Sequence, residues 1–141
     1  MKKILIINGP NLNMLGQREP EVYGKETLDD LIKYTESKTQ SQVKLDWYQS
    51  NLEGELVGRI QKAASEDYHA LIINPGGYAH TSVAIHDALK IMKIPVIEVH
   101  LSQVYKREEF RHTLLTAKAA TAIMTGFGKQ TYYIAINSQL H

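Results

Sequence analysis

Short runs of continuous apolar residues alternate with longer stretches of helical periodicity along the whole chain, and few architectures accept that pattern. Residues 3–8, 70–74 and 95–100 read as buried strands, apolar and β-branched without the polar alternation of a half-exposed sheet. Residues 43–48 form a partly alternating strand and 121–125 a weaker one. Helical spacing fills the gaps. It places Leu28, Leu31, Ile32 and Thr35 on one face of 27–41, Leu56, Ile60, Ala63 and Ala64 on one face of 53–66, and Ile85, Ala88, Leu89 and Met92 on one face of 82–92. Phe110, Leu114 and Ala117 give the same signal over 107–117, and Tyr132, Ile136 and Leu140 favour helix over strand for 129–140. Strands separated by helices join through right-handed βαβ crossovers into a parallel sheet. The pattern therefore predicts one α/β domain over residues 1–141, a flavodoxin-like doubly wound sheet of five parallel strands in the order 2-1-3-4-5, with helices on both faces.

Charge and composition narrow the partners. The formal net charge is +1 with no long run of one sign, so nothing electrostatic calls for nucleic acid or a membrane surface. There is no cysteine, which removes disulfides, thiolate catalysis and cysteine-based metal sites. The opening apolar run is broken at Asn8-Gly9-Pro10-Asn11, too soon for a signal peptide, and no run nears the roughly 20 apolar residues of a membrane span. The expectation is a cytoplasmic protein that begins on a buried strand.

In a parallel sheet the C-terminal ends of all strands lie on one edge, where ligands bind. Asn8 and Asn11 follow the first strand, Gln49, Ser50 and Asn51 the second, Asn74, Gly76, Gly77 and His80 the third, and His100, Leu101 and Ser102 the fourth, with Glu98 just before. Each cluster alone could be a turn; their coincidence on one rim points to a site. Amides, imidazoles and hydroxyls suit a polyhydroxylated ligand, and backbone N–H groups at Leu101-Ser102 and Gly76-Gly77 suit its carboxylate. Neither the dinucleotide glycine pattern nor a P-loop is present, which disfavours a nucleotide. The six histidines lack zinc spacing, so no zinc site is expected.

One connection is unusually long. Residues 9–26 link the first strand to the first helix, punctuated by Pro10, Gly16, Pro20 and Gly24, and such loops in compact α/β domains are usually functional. Residues 16–25 read as a lid carrying Arg18, Glu19 and Tyr23. A tyrosine ordinarily titrates near pH 10. An adjacent arginine favours the phenolate, and lowering by about two to three pH units would make Tyr23 a general base near neutrality. On these residues alone, Tyr23 equally reads as a packing side chain and Arg18 as a solvated cation.

Asn8-Gly-Pro-Asn-Leu-Asn-Met-Leu-Gly16, Arg18-Glu-Pro20, Tyr23-Gly24 and Thr27-Leu28 resemble the N-terminal signature of the type II 3-dehydroquinate dehydratases. Gln49-Ser-Asn-Leu-Glu-Gly54, Asn74-Pro-Gly-Gly-Tyr-Ala-His-Thr-Ser82, Asp87-Ala88, Glu98-Val-His-Leu-Ser102, Arg107-Glu-Glu-Phe-Arg-His112, Gly126-Phe-Gly128 and Tyr132 to Ala135 continue it in order. The resemblance implies a cofactor-free anti elimination of water from 3-dehydroquinate through an enolate, giving 3-dehydroshikimate. In that scheme Tyr23 takes the C2 proton, Arg18 keeps Tyr23 acidic, His100 protonates the departing hydroxyl with Glu98 orienting it, and Asn11 supports the enolate through a water. Asn74 and the Leu101 and Ser102 backbone would bind the carboxylate, and His80, Asp87 and Arg111 the ring hydroxyls. It also implies a dodecamer built from trimers, with Asp87 acting across a subunit boundary.

The chain departs from the family pattern at Ala79, His86, Gln103 and Thr113, none of them a proposed catalytic group. Two other readings stay open at this point: a flavodoxin-like ligand-binding module, and a homologue without activity kept for assembly.

Overall fold

All five strands are parallel and run in the order β2-β1-β3-β4-β5, as the alternation predicts. The computed structural model describes residues 1–39, 41 and 43–141, the side chains of Val22 and Tyr23 apart. The strands are β1 (Lys2–Asn8), β2 (Val43–Gln49), β3 (Ala70–Asn74), β4 (Val96–His100) and β5 (Ala122–Thr125). The helices are α1 (Pro20–Tyr23, a single turn), α2 (Leu28–Thr39), α3 (Glu53–Ala63), α4 (Val83–Leu89) and α5 (Gln130–Ser138). Gln40, in the last turn of the helix predicted over 27–41, lies outside the described residues. Among the described residues no helix is long and apolar enough to cross a membrane.

The central strands are continuously apolar because both of their faces are covered. Ile4, Ile6, Ile72, Ile97 and Val99 pack with Leu31 of α2 and Tyr132 and Ile136 of α5. The alternate residues Leu5, Ile7, Leu71, Ile73 and Val96 pack with Leu56 and Ile60 of α3 and Ile85 and Leu89 of α4. Successive strand residues point to opposite faces, so each run feeds two cores at once. Two helix starts are written in the sequence. Thr27 Oγ1 accepts from Asp30 N at 3.1 Å while Asp30 Oδ2 accepts from Thr27 N at 3.0 Å, and Ser82 Oγ accepts from Ile85 N at 2.9 Å. Each pairing satisfies a backbone donor that a helix leaves open in its first turn.

The helix predicted over 107–117 does not form. Short 3-10 turns at Glu109–Arg111 and Thr116–Ala119 replace it, and Phe110, expected on a buried face, is 66% exposed. The segment's polar groups make bonds, two of them across the fold, that a helix would not allow. The Thr113 carbonyl meets His80, the Arg107 carbonyl meets His112, and the Thr116 hydroxyl meets Glu98. Three apolar residues at helical spacing do not outweigh those contacts, because tertiary context overrides a weak local pattern. Arg107 and Arg111 therefore stand on an irregular segment above the sheet edge, not on a solvated helix face.

Candidate active site

Register brings the strand ends level. Asn8 pairs with both Gln49 and Asn74, and His100 pairs with Thr125. The chain leaves β1 for β2 on one side and later returns to β3 on the other, so the switch point of the sheet lies between Asn8 and Asn74. The loops after β1 and β3 clasp each other there. A Cβ on Gly9 would lie 2.4 Å from the Pro75 carbonyl oxygen, and Gly76 takes φ +61° with the Pro10 carbonyl oxygen 3.0 Å from its would-be Cβ. Only glycine fits either position.

A cavity of about 220 Å³ opens above this clasp. Asn11, Asn74, Gly76, Gly77 and His80 line one part, and His100, Leu101 and Ser102 another. Arg18 from the long loop, with Arg107 and Arg111, closes the remainder. Leu12 and Leu15 are buried in the core and tie the start of the loop down. Farther along, Glu19 Oε2 stands 3.4 Å from Arg18 Nη2 and 3.7 Å from Arg107 Nη2, one carboxylate between two guanidiniums. The backbone of Tyr23 closes the single turn α1, five residues past Arg18; its side chain lies outside the described residues.

His100 and Glu98 share one face of β4. The imidazole Nε2 lies 2.8 Å from Glu98 Oε2, and that carboxylate is wholly buried behind it. A carboxylate accepts only, so Nε2 carries the donated hydrogen and Nδ1 is left to exchange a proton with the cavity. The His80 ring lies 6.4 Å from the His100 ring. Its Nδ1 meets the Thr113 carbonyl oxygen at 2.9 Å. Burial, with help from the His100 and Arg111 charges, holds His80 below the ordinary imidazole range against the pull of that carbonyl. A neutral His80 with Nδ1–H committed presents an acceptor at Nε2, suited to a ligand hydroxyl. Among the described residues no three His, Asp or Glu side chains group as around a metal ion.

The Asn74 amide is fixed at both ends. Its Oδ1 accepts from Gly76 N at 3.1 Å and its Nδ2 donates to the Tyr132 hydroxyl at 3.0 Å. Tyr132 in turn donates to Asn8 Oδ1 at 2.5 Å. Burial pushes the Tyr132 phenol well above its ordinary range, which keeps it a neutral donor. Asn11 holds its backbone in the left-handed region at φ 71°, with its N–H donated to Asn51 Oδ1 at 3.0 Å. Arg111 Nε is held by Glu108 Oε1 at 2.9 Å, and Ser102 Oγ accepts from Arg107 Nη1 at 3.1 Å.

Of the expected site residues, Asn11, Arg18, Asn74, His80, His100, Leu101, Ser102 and Arg111 line this cavity. Glu98 stands behind His100 rather than in the cavity. Asp87 is not there: its exposed side chain pairs with His86 at 2.8 Å on α4. Two residues that the sequence reading left out belong to the site. Arg107 lines the cavity from the segment mistaken for a helix, and Tyr132 braces the rim from α5.

The model of the family described as dehydroquinase class II matches residues 2–140. The chain belongs to the class II dehydroquinase family. It is 49% identical over 137 residues to a protein of Caldicellulosiruptor bescii named 3-dehydroquinate dehydratase, covering 96% of this chain and 94% of that protein. A 3-dehydroquinate dehydratase of Idiomarina loihiensis is 50% identical over 98% of this chain and 91% of its own length. The type II dehydroquinase crystal structure from Butyrivibrio crossotus superposes with a TM-score of 0.95 at 42% identity, covering 98% of this chain and 97% of that one.

Two departures from the class II dehydroquinase pattern have visible contacts here. Thr113 reaches His80 through its backbone carbonyl, which any residue supplies. Gln103 turns away from the cavity, and its Oε1 accepts from Tyr105 N at 2.7 Å. The Tyr132 brace gives a measurable expectation. Tyr132→Phe leaves Asn74 Nδ2 and Asn8 Oδ1 without the hydroxyl that bonds them, at a cost of about 1–3 kcal/mol per group. Thermal melting should show a midpoint several degrees lower. A midpoint within a degree of wild type would mean that the hydroxyl does not pair them.

Proposed function

We propose that this protein is a 3-dehydroquinate dehydratase, a hydro-lyase that eliminates water from 3-dehydroquinate to give 3-dehydroshikimate. The observation that carries the reading is one cavity walled by an imidazole on a buried carboxylate and faced by arginines from the lid and the rim. The curated relatives bear that activity in their names. No lysine is found among the described residues lining the cavity, so the elimination is read as proceeding through an enolate and not through a Schiff base.

The proposed sequence of steps follows from the chemistry of a β-hydroxy ketone. Residues 16–25 close as a lid and exclude water. Tyr23, as phenolate, removes the C2 proton, and the electron pair moves into the C3 carbonyl as an enolate. The guanidinium of Arg18 favours the phenolate, and Arg107 adds a second positive charge to that wall. Asn11 supports the enolate oxygen through a water. The enolate then collapses, the C1–O bond breaks, and the proton on His100 Nδ1 goes with the hydroxyl to form water. Asn74 and the Leu101 and Ser102 backbone take the substrate carboxylate, Arg111 and His80 its ring hydroxyls.

Asp87 enters this scheme only through assembly. It faces away from its own cavity, next to the exposed Val83 of α4, and the exposed Tyr105 and Phe110 leave apolar surface uncovered on this chain. We include in the proposal a dodecamer built from trimers, in which a neighbouring copy supplies Asp87, and a cytoplasmic location suited to a small charged metabolite.

The product is a conjugated enone and the substrate is not. Adding 3-dehydroquinate to the folded protein should raise near-ultraviolet absorbance at a rate proportional to protein concentration. No rise would sink the hydro-lyase reading and leave a ligand-binding module.

A further inference from the structure

Glu98 makes two hydrogen bonds among the described residues, one to each oxygen. Oε2 meets His100 Nε2 at 2.8 Å, and Oε1 meets the Thr116 hydroxyl at 2.5 Å. Both Glu98 and Thr116 are 0% exposed. The in-register neighbours of Glu98 on β3 and β5 are Ile73 and Ile123, which offer no donor. A threonine hydroxyl against a carboxylate donates, because the carboxylate has no hydrogen to give.

We infer that Thr116 is a positioning residue for the acid of the elimination, acting through Glu98; the inference rests on the dehydratase reading of the same cavity. The last torsion of a glutamate is broad and roughly two-fold, so a carboxylate held at one oxygen swings. Held at both, it has one orientation. The Thr116 hydroxyl fixes Oε1, which fixes Oε2 on Nε2, which holds Nδ1 toward the cavity. Thr116 is not among the residues that line the cavity, and it stands on a 3-10 turn that replaces the predicted helix. That turn brings the hydroxyl to a buried carboxylate 18 residues away in sequence.

Two substitutions separate this role from packing. Thr116→Val keeps the volume and the β-branch and removes the hydroxyl; Thr116→Ser keeps the hydroxyl and removes a methyl. Steady-state turnover of 3-dehydroquinate by Thr116→Val should show kcat down about 10- to 100-fold, the range typical of losing a partner that orients a functional side chain, with KM within about three-fold of wild type. Thr116→Ser should lie within about three-fold of wild type in both. The reverse ordering, with Ser the defective variant, would assign Thr116 to packing and overturn the inference, as would equal effects or none.

Nitrogen-15 NMR of the histidines gives a second readout that needs no turnover. Wild type and Thr116→Ser should show His100 with hydrogen on Nε2, and Thr116→Val a mixture of tautomers. An unchanged tautomer in Thr116→Val overturns the inference. If Thr116→Val does not fold, Thr116→Ser remains decisive, since impaired turnover or a changed tautomer there overturns it. Wild type that folds but leaves 3-dehydroquinate untouched sinks the dehydratase reading alone, while the tautomer measurement still tests Thr116.

Discussion

Tyr23→Phe should abolish nearly all turnover while 3-dehydroquinate still binds. The C2 proton lies beside a ketone, and water does not remove it at a useful rate near neutrality. A positioned base contributes about 100- to 10,000-fold, and phenylalanine has no atom to replace the phenolate oxygen. We expect kcat to fall about 1,000-fold, some 4 kcal/mol of transition-state stabilisation. KM should stay within a few-fold, because the ligand's carboxylate and hydroxyls are assigned to other residues, Asn74, His80, Arg111 and the Leu101–Ser102 backbone. The binding half is checked without catalysis. A ligand at about 100 times its dissociation constant adds about 2.7 kcal/mol to folding stability, so the variant should still melt higher with substrate than without. Turnover within a few-fold of wild type would remove Tyr23 from the base role. Loss of the ligand-induced shift would make it a binding residue instead.

The fold could be read from the sequence because its signals were redundant. Continuous apolar runs such as Ile4–Ile7 and Leu71–Ile73 suit only strands covered on both faces, and the helices between them forced parallel order. The rim followed from topology alone: once the strands are parallel, Asn8, Asn74 and His100 must lie on one edge. Failure was local. Over 107–117 the helical pattern rested on Phe110, Leu114 and Ala117. In the folded chain Phe110 is exposed, and the buried residue of the segment is Thr116, whose partner Glu98 lies on β4. A single sequence cannot show that pairing, because a threonine in an amphipathic pattern carries no sign of the carboxylate it will meet. Arg107 was lost with the same helix, since a cation on a helix is by default solvated. Tyr132 was read as part of a helical face but not as a brace, for its hydroxyl needs both Asn8 and Asn74 in place before it has a role.

The same geometry separates the two halves of the elimination. The acid side is built into the sheet: His100 ends β4, Glu98 is two residues behind it on the same face, and both are buried. The side assigned to the base belongs to a loop that meets the rim, among other contacts, through the Glu19 carboxylate at 3.7 Å from Arg107. Glu19 is partly exposed there, and an ion pair of that length contributes little to stability. The group assigned to the acid is thus anchored in a buried strand, and the group assigned to the base stands on the connecting loop.

That asymmetry determines what His100→Ala should do. Hydroxide leaves poorly, so loss of the group that protonates it should cost about 1,000-fold in kcat, inside the range for general acid catalysis. Unlike Tyr23→Phe, this change also disturbs the core. Glu98 keeps its bond to Thr116 but loses its hydrogen bond to His100, and a buried acceptor left without its partner costs about 1–3 kcal/mol, more for a charged group. We therefore expect two effects together, turnover nearly abolished and a thermal midpoint lower by more than 5 °C. Adding Glu98→Gln to His100→Ala removes the stranded charge. The double variant should recover part of the lost stability and none of the lost turnover. Turnover of His100→Ala within ten-fold of wild type would exclude His100 as the acid. A midpoint that the second substitution lowers further would mean that Glu98 is not charged in the folded protein.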